Sequence, residues 1–212
     1  MKLIDMTITE FIDVVDSKSP APGGGSVAAL SSELGIALAR MVAHLSFGKK
    51  KYESLDEKIR IKYLEKFNAL GDIRQEMEIL IDKDSESFNE FMKAIKMPKD
   101  SEKDKENREI AMKEATKLSI EVPLKVANLS SQAIELIKEM IEYGNKNAVT
   151  DIGVGVLMLY SGIEGAILNV RVNLNQLEKD DYRENKEREC NKIISQAKIN
   201  KDNILETVYS MI

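Results

Sequence analysis

Apolar residues recur every three or four positions along almost the whole chain, the spacing of helices with one buried face. The clearest run passes through Leu55, Ile59, Tyr63, Phe67, Leu70, Ile73, Met77 and Leu80 to Phe88, Phe91 and Ile95. It predicts one long helix, or two joined near Gly71, ended by Pro98, which cannot continue a helix. After the polar stretch KDSEKDKEN, Ile110, Ala115 and Leu118 carry the period to EVP. There Pro123 begins or kinks a further helix through Ala127, Ile134, Ile137 and Met140, and YGNKN stops it. A second long run, Ile152, Val156, Leu159, Ile163, Ile167, Val170, Leu174 and Leu177, has a nearly bare neighbouring face of Gly155, Gly162 and Ala166. Each helical glycine costs about 1 kcal/mol relative to alanine, so the series asks for close approach of another helix or a ligand. Ile194, Ala197, Ile204, Val208 and Ile212 predict a last amphipathic helix. With no strand pattern, tandem repeat or low-complexity tract, the expected architecture is an all-α bundle of long amphipathic helices, a single domain over residues 1–212. Its extensive apolar faces suit self-association.

Composition narrows the class. The chain carries 31 Lys and Arg against 36 Asp and Glu, a net charge of -5. That field repels polyanions, and without a basic stripe no nucleic-acid partner is expected. One cysteine and one histidine make neither an internal disulfide nor the usual structural zinc sites, which fits a reducing compartment and no metal. The opening MKLIDMTITEFIDVV mixes acids among its apolar positions, unlike a secretory signal peptide. The most apolar stretch, Ile152 to Val170, carries Ser161, Glu164 and Asn169 within about the 20 residues a membrane span needs. A cytoplasmic protein with no membrane partner is expected.

Several constellations carry candidate chemistry. In SPAPGGGSVAAL, residues 19–30, Pro20 and Pro22 stiffen the chain, Gly23, Gly24 and Gly25 permit close backbone contacts, and Ser26 is placed to cap the helix that follows. Exposed amides at such a helix start suit a carboxylate, phosphate or polarised carbonyl, while a tight start beneath another backbone explains the glycines equally well. Ala28, Ala29, Ser32, Gly35 and Ala39 then keep the helix thin. At its far end, in HLSFGKKKY, Gly48 reads as a stop, and Lys49, Lys50 and Lys51 form the most concentrated positive patch, a place the helix dipole also favours. His44 has no second histidine or clear acidic partner nearby and reads as structural. In LIDKDSESFNEF, Asp84 falls four residues from both Leu80 and Phe88, on the apolar stripe. A carboxylate on a buried face must be paired, hydrogen-bonded or held neutral, and either outcome suits acid/base use or a satisfied structural ion pair. GNKNAVTD supplies Asn145, Asn147 and Asp151, with Asn147 or Thr150 as a cap, and Asn169 and Asn173 recur at four-residue spacing as a polar surface on an apolar helix.

In combination these pieces resemble the cyclodeaminase domain of formiminotransferase-cyclodeaminase and its stand-alone relatives, among them bacterial methenyltetrahydrofolate cyclohydrolases. The resemblance runs in order through SPAPGGGSVAALSSELGIALARMV, GKKKY, DKDSESF, MPK, VPL, GNKNAVTD and LNVRVNL, nearly the whole chain. It implies an all-helical, homodimeric enzyme that takes a tetrahydrofolate derivative as substrate, acts at the 5,10-methenyl bridge and uses no further cofactor. Carried over by motif, the catalytic aspartate is the second acid of D-x-D-x-x-x-F, Asp84. Gly23, Gly24, Gly25 and Ser26 would let the backbone approach the folate, and Lys49, Lys50 and Lys51 would meet its glutamate tail, including a polyglutamylated one, or its reacting end. Asn145, Asn147, Asp151, Asn169 and Asn173 complete the expected binding set. Formimidoyltetrahydrofolate cyclodeaminase is the first expectation, because the motifs match that domain throughout. Methenyltetrahydrofolate cyclohydrolase is the alternative, and a helical folate-binding or scaffolding module without turnover is a more remote one. Roles for Asp82 and Glu164 stay open.

Overall fold

A computed structural model describes residues 2–212. After a 3-10 turn at Leu3–Asp5 the helices are α1 (Ile8–Val15), α2 (Gly24–His44), a single turn α3 (Lys50–Glu53), α4 (Glu57–Ile95), α5 (Glu102–Tyr143), α6 (Val149–Leu174) and α7 (Asp181–Tyr209), with a second 3-10 turn at Lys146–Ala148 before α6. Among the described residues there is no strand. α2 packs on α4 and α6, α5 on α4 and α6, and α7 closes the side formed by α5 and α6. The core these helices share is the periodic set, with Leu70, Met77, Leu80, Ile134, Ile137, Ile152, Leu159 and Ile163 almost wholly buried.

The bare face of α6 meets the thin helix α2. A Cβ on Gly35 would lie 2.5 Å from the Gly155 carbonyl oxygen, and one on Gly162 would lie 2.7 Å from that of Ala28. Going up α2 from Gly24 to Gly35, the partners on α6 descend from Asn169 to Gly155, so the two helices are antiparallel. By length and composition both could cross a membrane; here they are the central pair of the bundle, with half of each apolar window buried.

α4 is one helix, the first of the two readings its period allowed, and at Gly71 it makes room for the Arg40 guanidinium, which donates to the Phe67 carbonyl and covers the Phe67 ring. Two other expectations are corrected. α5 runs unbroken through Pro123. Proline has no N–H to give the carbonyl four residues back, that of Ser119, and Asn173 Nδ2 from α6 donates to that oxygen instead at 2.8 Å. The period also marked Ile95, Ile110, Leu118 and Ile212 as apolar-face positions, yet all four are exposed, Leu118 on the rim of a groove between α4 and α5. Helix α1, not expected from periodicity, is set by a Thr7/Glu10 capping box and buries only Phe11.

Candidate active site

Where the start of α2 crosses α4, the glycine run and Asp84 meet. Gly23 is the N-cap of α2 and makes no side-chain cap bond, so Ser26 sits in the first turn rather than capping it. Its backbone N–H donates to Asp84 Oδ2 at 2.8 Å, and its hydroxyl lies 3.1 Å from the same oxygen, 2.9 Å from the Ile81 carbonyl and 3.2 Å from Ser85 Oγ. A carboxylate at the first turn of a helix is where the dipole and the unpaired amides favour it. Gly25 explains the second glycine of the helix: a Cβ there would fall 2.0 Å from Asp84 Oδ1. The space at Gly25 is thus filled by the acid itself, and Ser26, with no exposed surface, contacts Asp84. Asp84 is half-buried, and among the described residues no Lys or Arg pairs with it. Burial pushes its carboxyl above the usual range, opposed by the two Ser26 hydrogen bonds.

Asn169 and Asn173 belong to this end of the bundle. Asn169 lies beside Gly24, its Nδ2 3.4 Å from where a Cβ on that glycine would be, and donates to the Gly165 carbonyl. Asn173 Nδ2 is committed to the carbonyls of Ser119 and Asn169, which gives this half-buried residue a structural part. The remaining expected residues gather elsewhere. Lys49, Lys50 and Lys51 follow the C-terminal end of α2, and because α6 is antiparallel, Asn145, Asn147 and Asp151 lie at that same end. Lys49, Lys51, Tyr52, Asn145, Lys146 and Asn147 line a cavity of about 390 Å³ there. Twenty-one residues of helix separate the two ends, about 30 Å at 1.5 Å per residue. Neither expected cap operates: Asn145 accepts from the Asn147 N–H, and Ala148 begins α6 without a side-chain cap. His44 packs edge-on against Phe67 at 4.8 Å, consistent with a structural part.

Asp82 and Glu164 acquire local partners. Asp82 Oδ1 accepts from the Leu3 N–H at 2.6 Å, tying the N-terminal turn to α4 beside the site, and Glu164 accepts from the Tyr160 hydroxyl. That tie helps to form a groove of about 910 Å³ between the N-terminal segment and α2, with Val27 and Ile81 at its Asp84 end and Glu33 in its wall. Glu33 is held by Arg74, which also binds Glu78; burial, and then Glu78, still raise the Glu33 carboxyl. The groove, the Ile81 carbonyl and Ser85 were not anticipated; the Thr7-x-x-Glu10 capping box was the one signal that the N-terminal segment is ordered. Among the described residues, no three His, Cys, Asp or Glu side chains converge to hold a metal ion. The chemistry this arrangement offers is proton transfer by one half-buried carboxyl whose two Ser26 bonds fix its direction.

Comparisons with known proteins find relatives along almost the whole chain. A family profile described as Formiminotransferase-cyclodeaminase matches residues 7–192. The methenyltetrahydrofolate cyclohydrolase of Methylorubrum extorquens is 35% identical over 206 residues, 97% of either chain. The formimidoyltransferase-cyclodeaminase of Rattus norvegicus is 32% identical over 196 residues, 92% of this chain but 36% of the rat protein. The crystal structure of formiminotetrahydrofolate cyclodeaminase from Thermotoga maritima superposes with a TM-score of 0.84 at 25% identity, covering 97% of each chain.

Proposed function

The chain belongs to the formiminotransferase-cyclodeaminase family and is a folate-dependent one-carbon enzyme of its cyclodeaminase/cyclohydrolase group; within that group we propose that it hydrolyses 5,10-methenyltetrahydrofolate to 10-formyltetrahydrofolate, with Asp84 as general acid and base. The observation behind the acid/base role is the half-buried Asp84 carboxyl held by Ser26, with no Lys or Arg paired to it among the described residues. Preference for hydrolysis over deamination rests on the Methylorubrum extorquens cyclohydrolase, similar along its whole length. That reverses the order expected from the motifs alone.

The methenyl bridge is a cation, and an unpaired carboxylate is its electrostatic complement. Arrival of that charge favours the ionised form of Asp84 and so turns a carboxyl held high by burial into a base. Water adds to the bridging carbon as Asp84 takes its proton. The carbon–N5 bond then breaks while N5 receives a proton and the carbonyl forms, so that one proton leaves overall. Such a positioned carboxyl contributes about 100- to 10,000-fold. Deamination is the second reading, favoured by the likeness to the Thermotoga maritima cyclodeaminase. There the same carboxyl would carry a proton from the attacking anilino nitrogen of 5-formiminotetrahydrofolate to the departing ammonia. Following methenyl absorbance with each substrate, corrected for spontaneous reaction, separates the two. Accelerated decay of the methenyl compound alone supports hydrolysis, a rise from the formimino compound with ammonia release supports deamination, and silence in both overturns turnover.

A homodimer is part of the same proposal. α2 exposes Val27, Leu34 and Met41, α6 exposes Val154, Leu157 and Leu168, and α1 exposes Ile8 and Ile12, an apolar surface monomers rarely show. A two-fold axis crossing the middle of α2 would bring the lysine-rich end of one protomer to the Asp84 end of its partner, giving the glutamate tail a cationic neighbour. Sedimentation velocity tests the assembly: a monomer at assay concentration contradicts it.

A further inference from the structure

Ser26 Oγ has one proton and three neighbours that compete for it. The Ile81 carbonyl at 2.9 Å only accepts, Asp84 Oδ2 at 3.1 Å accepts when ionised and donates when protonated, and Ser85 Oγ at 3.2 Å does either. Ser26 is wholly buried, so no solvent molecule replaces a bond it fails to make. A hydroxyl offers one donor and two acceptor lone pairs and rotates to suit its partners. This gives two self-consistent arrangements. With Asp84 ionised, the Ser26 proton points at Oδ2 and Ser85 donates into the Ser26 oxygen. With Asp84 protonated, the acid proton points at Ser26 Oγ, and the Ser26 proton turns to the Ile81 carbonyl. The backbone N–H of Ser26 stays on Oδ2 in both, at 2.8 Å.

We propose that Ser26 is a positioning residue for Asp84 whose hydroxyl reverses its hydrogen bonds as the carboxyl gains and loses its proton, with Ser85 supplying the donor in the ionised state. The reversal lets a buried acid change charge within one turnover without leaving a polar group unpaired in either state, which a fixed donor such as a backbone amide cannot do. Among the described residues no other side chain is bonded to the Asp84 carboxyl. On α4, Asp82 is taken by the Leu3 N–H, while Lys83 and Glu86 line a separate groove toward α5 with Glu121 and Lys125. On α2, Glu33 is held by Arg74, and on α6, Arg171 bonds Asn191. The proposal rests on the reading of Asp84 as the acid/base and gives Ser26 a part distinct from helix capping or substrate contact.

The test is the pH dependence of kcat and, independently of activity, the titration of the Asp84 carboxyl followed by carbon-13 NMR, in Ser26→Ala and Ser85→Ala. The hydroxyl bonds the carboxyl in both states, but its bond to the ionised form is charge-assisted and about twice as strong as the bond it accepts from the protonated form, so in Ser26→Ala both the carboxyl titration and the limb of the rate profile move up by about one pH unit, a tenfold change in proton affinity. Ser85→Ala moves them the same way by less. An unshifted titration in folded Ser26→Ala overturns the proposal whatever the plateau rate. Full activity in Asp84→Asn would instead overturn the reading of Asp84 on which it rests, so the two failures are distinguishable.

Discussion

Alanine at position 25 isolates the link between the glycine run and the acid. Its methyl would stand 2.0 Å from Asp84 Oδ1, 2.4 Å from Cγ and 2.6 Å from Oδ2, whereas non-bonded atoms settle at about 3.5 Å or more. The carboxyl must retreat by more than about 1 Å, and a displacement of that size can lower a rate about 100-fold. It also pulls Oδ2 off the Ser26 amide and hydroxyl. Stability moves little, because opposing effects are similar in size. Alanine is worth about 1 kcal/mol over glycine in a helix, and overpacking costs about 1–3 kcal/mol. For a chain of this length the net is a Tm change of a few degrees, at about 2–4 °C per kcal/mol. Gly25→Ala is therefore expected to lose about 100-fold or more in kcat, measured by methenyl absorbance at saturating substrate, while its circular dichroism melt stays close to that of the parent. A variant that turns over near the parent rate would refute the claim that Gly25 exists to admit Asp84.

Other consequences follow from the same geometry. Because burial raises the Asp84 carboxyl in the fold, its contribution to stability is fully present below the unfolded carboxylate pKa and is lost as pH rises through the higher folded value. The Tm of Asp84→Asn minus that of the parent should accordingly grow from acid to neutral pH, and a difference that is flat or falls would contradict the raised carboxyl. Asn173→Ala strands the Ser119 carbonyl, a loss of about 1–3 kcal/mol that lowers Tm. In a Pro123→Ala background the helix supplies its own N–H, so the loss from Asn173→Ala should shrink, and equal losses in both backgrounds would show that Asn173 does not compensate for the proline. Replacing Lys49, Lys50 and Lys51 together by Gln should weaken binding of polyglutamylated folate more than of the monoglutamate; equal weakening, read by calorimetry, would argue against a tail-binding role.

Much of this is legible in the chain. Helical period locates α4, α6, α7 and, in two pieces, α5 because each buries one face, while α2 is read from its glycine start and small residues; the same period puts Asp84 on the apolar stripe of α4. Spacing along one helix does not say what stands opposite, however. GGGS reads as room for a ligand or a backbone, and the answer at Gly25 is a side chain 59 positions away, reachable only once α2 crosses α4. Asn173 and Pro123 look like two unrelated oddities, a polar residue on an apolar helix and a helix breaker, and each is the other's remedy. The lysines and Asp84 read as parts of one site; the 21-residue length of α2 puts them at its two ends, which the motifs alone do not show.

The most direct test of the account is kcat for Asp84→Asn with 5,10-methenyltetrahydrofolate, measured on protein whose helix content and Tm show it folded. A carboxyl that moves the proton predicts a loss of at least about 100-fold, the lower bound for a positioned acid or base. A rate near that of the parent would contradict it, and would leave the Ser26–Asp84 unit as a structural clasp between α2 and α4.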